Sequence, residues 1–148
     1  MTDLKTRITE DVKIAMKAGE KERVSLLRML TAELKQREVV EQIVLTDAAV
    51  IAAIEKMLKQ RKDSEQQFRA AGRTELADKE ASEIAGLMAY LPQQLSDAEL
   101  DAILAGVIVE TGAAGPKDMG KVMAVIKPLV AGKTDMGALS AKIKAKLA

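Results

Sequence analysis

Lys117, Lys121, Lys127, Lys133, Lys142, Lys144 and Lys146 crowd the end of the chain, where from Gly112 onward seven cations face two acids, a net of +5. Residues 1–111 hold the other sixteen Lys or Arg against twenty Asp or Glu, a net of −4, so a chain of formal charge +1 is strongly polarised. Clustered ammonium groups attract phosphate, and such binding weakens steeply as salt rises. Helix starts near Lys117 and Asp135 would add backbone donors for the same anions. The lysines form no unbroken stripe: Lys142 and Lys146 fall one helical turn apart while Lys144 points elsewhere. One Phe and one Tyr, both outside this segment, give no aromatic platform for stacking bases. What remains is recognition of folded RNA by shape and phosphate. A solvated lysine face, favourable near a helix C-terminus, is the competing reading.

The rest of the chain argues against independent catalysis. It has neither Cys nor His, which removes thiol and imidazole nucleophiles, the usual zinc ligands and any side chain that ordinarily titrates near neutrality. Ser25, Ser64, Ser82, Ser96 and Ser140 have no imidazole to activate them. Lys62 beside Ser64 and Lys144 near Ser140 are weak substitutes on solvated helix faces. No catalytic residue, metal ligand or cofactor site is therefore assigned. The first residues carry acids and no apolar run flanked by a cleavage site, and no stretch approaches the roughly 18 apolar residues of a membrane span. The expectation is a soluble cytoplasmic protein that touches neither membrane nor DNA.

These residues must be held by helices, because apolar positions repeat at three and four along nearly the whole chain. Leu4, Ile8, Val12 and Ala15 stripe a first helix that Gly19 can cap. Val24, Leu27, Leu30 and Leu34 stripe a second, and residues 38–47, rich in β-branched side chains, read as a connection. Thr46 or Asp47 caps a long third helix with Val50, Ile51, Ile54, Met57, Leu58 and Phe68 on one face. After Gly72 a fourth helix is expected over 73–90 with Leu76, Ile84, Leu87, Met88 and Leu91 inward, stopped before Pro92. Ser96 and Glu99 match a capping box ahead of Leu100, Ile103, Leu104 and Val107. Pro116 starts a sixth helix through Met119, Val122, Met123 and Ile126, which should kink or end at Pro128. Met136, Leu139, Ile143 and Leu147 stripe a seventh. The prediction is an all-α chain: a four-helix N-terminal domain over 1–92 and a small three-helix tail domain over 96–148.

Arg61 and Glu80 interrupt the apolar stripes of the third and fourth helices. Antiparallel packing with the reversal near Gly72 sets Ile54 opposite Leu87, Met57 opposite Ile84 and Arg61 opposite Glu80. An interhelical Arg61–Glu80 ion pair is the expectation, with Glu65, one turn on, sharing the guanidinium fork.

Residues 56–100, KMLKQRKDSEQQFRAAGRTELADKEASEIAGLMAYLPQQLSDAEL, closely resemble the GatB/YqeY family on its stand-alone YqeY side. So do MGKVMAVIKPLVAGKTDMGALSAKIKAKL and, at residues 15–38, AMKAGEKERVSLLRMLTAELKQRE. The resemblance covers essentially the whole chain. It implies a helical N-terminal domain joined to a tail similar to that of the B subunit of glutamyl/aspartyl-tRNA amidotransferase, a tail that contacts tRNA. It points to Gln60, Arg61, Lys62 and Ser64; Gly72 and Arg73; Leu91 and Pro92; and Gly120, Lys121, Val122, Met123, Gly132, Lys133 and Asp135. Met136 stands where relatives often have glycine, and Leu129 and Ala131 replace positions often basic. The family's amidotransferase chemistry, a carbon–nitrogen ligation with glutamine as nitrogen donor, sits in parts absent from this chain. The expectations are a non-catalytic, tRNA-associated adaptor of translation or, alternatively, a module docking a protein partner through its N-terminal helices.

Overall fold

The computed structural model describes residues 3–148, and among these the chain is all-helical, with seven α-helices, a single 3₁₀ turn and no strand. It divides into two compact units, Met1–Leu91 and Pro92–Ala148.

In the first unit, α1 (Leu4–Ala18) starts at Asp3, whose carboxylate accepts the Thr6 N–H at 2.7 Å, and ends at Gly19 in the left-handed region, φ 72°. α2 (Lys21–Glu41) turns Leu26, Leu27, Leu30 and Leu34 inward. α3 (Asp47–Ala70) is capped by the Thr46 hydroxyl, and its first residue, Asp47, also accepts the Leu4 N–H at 2.9 Å, so one acid ties the starts of two helices. α4 (Thr74–Met88) packs back along α3 after a reversal at Gly72, φ +73°. The four helices share one core of Ile8, Leu27, Leu30, Leu34, Val50, Ile54, Leu87 and neighbours. Each large aliphatic side chain fully buried there contributes about 1.5–3 kcal/mol. α4 comes close to α2 at Gly86, where a Cβ would lie 2.6 Å from the Leu26 Cδ2.

Five expectations need correction here. α2 runs on through Glu41 into the first part of the expected connection, leaving Val39 and Val40 on a solvated turn at 68% and 71% exposure. β-Branching lowers helix propensity by only tenths of a kcal/mol per residue, too little to break an established helix. Leu76 is exposed, because Ala77 takes the inward position at the start of α4. Phe68 is half-buried and lies outside the core cluster, near the reversal into α4. Arg61 does not bond Glu80: its Nε donates to Glu83 at 2.9 Å, one helical turn further along α4. Nor does Glu65 share that guanidinium; it accepts from Arg69, its i+4 neighbour, at 2.9 Å.

The second unit has its own core, built from Leu100, Leu104, Val107, Val122, Ile126, Val130, Leu139, Ile143 and Leu147. α5 (Asp97–Thr111) begins at Ser96, whose hydroxyl accepts the Glu99 N–H at 3.1 Å, and ends at Gly112. A 3₁₀ turn, Pro116–Asp118, leads into α6 (Met119–Val130). α6 does not end at Pro128, which sits in its last turn; the helix runs two residues past it. There the missing N–H costs one bond close to an end that frays anyway. α7 (Met136–Leu147) is capped by the Asp135 carboxylate, which accepts the Ala138 N–H at 3.0 Å. The entry segment is pinned to the α6–α7 turn by Leu95 N–H to Lys133 C=O, 2.8 Å, and by Gln94 Nε2 to Gly132 C=O, 2.6 Å.

Candidate nucleic-acid interface

The lysines of the second unit separate into three groups. α6 is about 18 Å long, and α7 packs on it and reaches the 3₁₀ turn that precedes it. Because α7 starts just beyond the C-terminus of α6, that reach brings its last turn, with Lys144 and Lys146, to the end of the unit where Lys117 and Lys121 lie. All four are exposed. Asp118 sits between Lys117 and Lys121 with its carboxyl held below the usual range, first by the Ala114 N–H that it accepts at 2.9 Å and also by both lysines. Lys127, in the last turn of α6, and Lys133, in the following turn, belong to the opposite end. Leu129, where a cation was absent from the pattern, is 51% exposed beside them.

Lys142 is different. Its Nζ donates to Asp101 Oδ1 at 2.8 Å and lies 3.7 Å from Asp97 Oδ1, both on α5. The hydrogen bond raises the Lys142 pKa and lowers that of Asp101, with Lys146 adding to the latter through its charge. Lys142 therefore joins α7 to α5 and has a carboxylate where a phosphate would have to bind. Sequence reasoning grouped it with the other lysines because the acids lie far off in the chain, Asp101 41 positions away and Asp97 further still.

The residues of the family pattern mostly shape the chain. Gly72 and Gly132 hold left-handed turns, both at φ 73°. The Arg73 N–H donates to Phe68 C=O at 2.8 Å in the α3–α4 reversal. Leu91 packs on the first core, and the Pro92 carbonyl accepts from Gln94. Asp135 caps α7 and Gly120 stands open in the first turn of α6. Gln60 is exposed on α3, with Lys62 and Ser64 half-buried nearby. Ser96 is a helix cap, and among the described residues no cluster of three or more acids stands where a metal ion could be held.

Around Arg61 the charges are tighter. Arg61 and Glu83 side chains are only 13% and 17% exposed, and one Glu80 oxygen is buried without a hydrogen-bond partner. Burial raises the Glu80 pKa first and the Glu83 charge adds to it, while Arg61 acts in the opposite direction. The guanidinium thus influences both acids and bonds one. This is an architectural centre between α3 and α4.

The family model for Yqey-like proteins matches residues 5–147. The chain belongs to the YqeY-like family. An uncharacterized protein of Schizosaccharomyces pombe is 35% identical over 83 residues, 56% of this YqeY-like chain and 68% of that protein. Two proteins named altered inheritance of mitochondria protein 41, mitochondrial, are also similar. The one from Pyrenophora tritici-repentis is 29% identical over 127 residues, 82% of this chain and 70% of its own length. The one from Lachancea thermotolerans is 32% identical over 117 residues, 77% of this chain and 63% of its own length. The YqeY-like chain thus spans about two thirds of each relative, and among its described residues no helix is long and apolar enough to cross a membrane.

Proposed function

We propose that this YqeY-like chain is a cytoplasmic, non-catalytic adaptor that associates with tRNA through a tail domain, residues 96–148, while the four helices over 1–92 form a separate domain. The observation that supports it is the gathering of Lys117, Lys121, Lys144 and Lys146 at one end of the second unit, exposed to solvent. Four such ammonium groups match a phosphate backbone in sign, and the absence of aromatic residues from the tail favours backbone and shape over base reading. The resemblance of its sequence to the amidotransferase tail is what suggests tRNA as the class of RNA.

The test is equilibrium binding of total tRNA to the full-length protein at two salt concentrations, beside a variant with those four lysines changed to Gln. The wild type is expected to bind at low salt, and the variant to lose affinity and to flatten the slope of log K against log salt by about 3. Lys142→Gln, by contrast, should lower stability more than tRNA affinity. Equal binding by wild type and the fourfold variant, with unchanged circular dichroism, overturns the reading.

A further inference from the structure

Independently of the tail, the first unit carries an apolar groove along α1 and α2. It is lined by Met16, Val24, Met29 and Ala32 together with Ser25 and the cations Lys21 and Arg28, and by no carboxylate. The α2 positions run 21, 24, 25, 28, 29 and 32, one helix face about three turns long. Met16 and Met29 are 52% and 41% exposed, unusual for side chains of that size beside a well-filled core. Both methionines are held by guanidinium groups: Arg28 Nη2 lies 3.7 Å from the Met16 sulfur, and Arg61 Nη2 lies 3.7 Å from the Met29 sulfur. Flexible thioethers adapt to varied apolar partners.

We infer that this groove docks an acidic amphipathic helix, about three turns long, from a partner protein. An apolar strip of that length fits the i, i+3, i+4, i+7 face of a helix lying in a groove. The charge selects which helix: the lining offers cations and no acid, so Asp or Glu flanking the apolar stripe would meet Lys21 and Arg28, while Lys or Arg there would be repelled. The apolar floor, without an aromatic ring, gives a base nothing to stack on and disfavours nucleic acid as the occupant. Arg28 contacts a sulfur where a carboxylate would make a stronger, charge-assisted bond.

A displayed library of 18-residue helical peptides, selected on the full-length protein, tests this. Enriched peptides should combine an apolar stripe with flanking Asp or Glu, and amide shift changes on adding one should fall on α1 and α2. Affinity measured by fluorescence anisotropy should fall about tenfold or more in Lys21→Glu/Arg28→Glu, and less in Lys21→Gln/Arg28→Gln. Both variants alter exposed side chains, and their melting curves report whether the fold is intact. The tail variant with four glutamines should bind these peptides like wild type, which separates this inference from the tRNA reading. Enrichment of neutral or basic peptides, no enrichment, or shift changes elsewhere overturns it. So does self-association, or tRNA binding, that the Lys21/Arg28 variants abolish, since the occupant would then be a second copy or an RNA.

Discussion

Tyr90 is the chain's single tyrosine and is 4% exposed. Its hydroxyl donates to Asp11 Oδ2 at 2.6 Å, Arg7 stacks over its ring at 5.0 Å, and Arg23 lies 3.9 Å from the same Asp11 oxygen. The contact ties the end of α4 to the middle of α1. Burial, then the hydrogen bond and charge of Asp11, push the phenol up to about 12 from 10.0. Ionisation would strip Asp11 of its donor and set two anions against each other. The sign follows: a group with a raised folded pKa stabilises fully below its unfolded value, so this contribution is intact below pH 10.0 and is lost as pH rises through about 12. With one tyrosine present, the absorbance change of phenolate formation reads this site alone. Its midpoint should lie near 12 in the wild type and move downward in Asp11→Asn, which removes the negative charge. Tyr90→Phe should cost about 1–2 kcal/mol at neutral pH, from the lost bond and the less satisfied acid, and should remove that alkaline limb from the stability profile. An ordinary midpoint near 10 would mean that the phenol is not held in this way.

Between elements, the sharpest dependence lies at Arg61 of α3 and Glu83 of α4, a largely buried pair of 2.9 Å with the unbonded Glu80 oxygen nearby. Arg61→Ala would leave Glu80 and Glu83 facing each other without the cation. Loss of one partner of a fully buried pair costs about 3–5 kcal/mol, so residual solvent access here sets the expectation nearer 2–3 kcal/mol. Glu83→Gln should cost less, and Arg61→Met/Glu83→Leu should recover part of the loss by replacing both charges with apolar volume. Urea unfolding of the three variants checks the order; a double variant less stable than Arg61→Ala contradicts it. The same pair marks where sequence reading stops. Periodicity exposed two charges inside apolar stripes, Arg61 and Glu80, and both are half-buried. It named Glu80 as the partner where Arg61 bonds Glu83, because which acid a guanidinium reaches across a helical hairpin depends on the Gly72 turn and on side-chain conformation, and no periodic pattern encodes either. The all-helical class was legible for the opposite reason: spacings of three and four are local, and Asp3, Thr46, Ser96 and Asp135 each supply a side-chain oxygen to a helix start. Gly86 against Leu26, and Lys142 against Asp97 and Asp101, are long-range encounters that no local signal announces. For the tail, sequence identified the basic segment; which of its lysines stand at one end depends on α7 returning along α6.

At the scale of the whole chain, the two core clusters share no residue: one is built from positions 8–90 and the other from 100–147. The bonds that close the second unit are internal as well, from Leu95 and Gln94 to the α6–α7 turn and from Lys142 to α5. Residues 92–148 thus contain side-chain caps at the starts of α5 and α7, a core and an ion-pair clip. Size works against them, since a domain of about 60 residues buries only about 60% of the surface that its unfolded chain exposes. The expected outcome is a fragment 92–148 that is helical by circular dichroism and melts cooperatively at a modest temperature. Lys142→Ala should lower its melting temperature measurably, because a marginal fold has little reserve against the loss of a charged hydrogen bond between α7 and α5. In the full-length protein the same substitution should act on this unit and leave the alkaline titration of Tyr90 unmoved, since the two side chains belong to separate units and share no partner. A fragment without a cooperative transition would mean that nine buried side chains and their caps are too few to outweigh the entropy of ordering this chain, and that its helices require residues 1–91 to form.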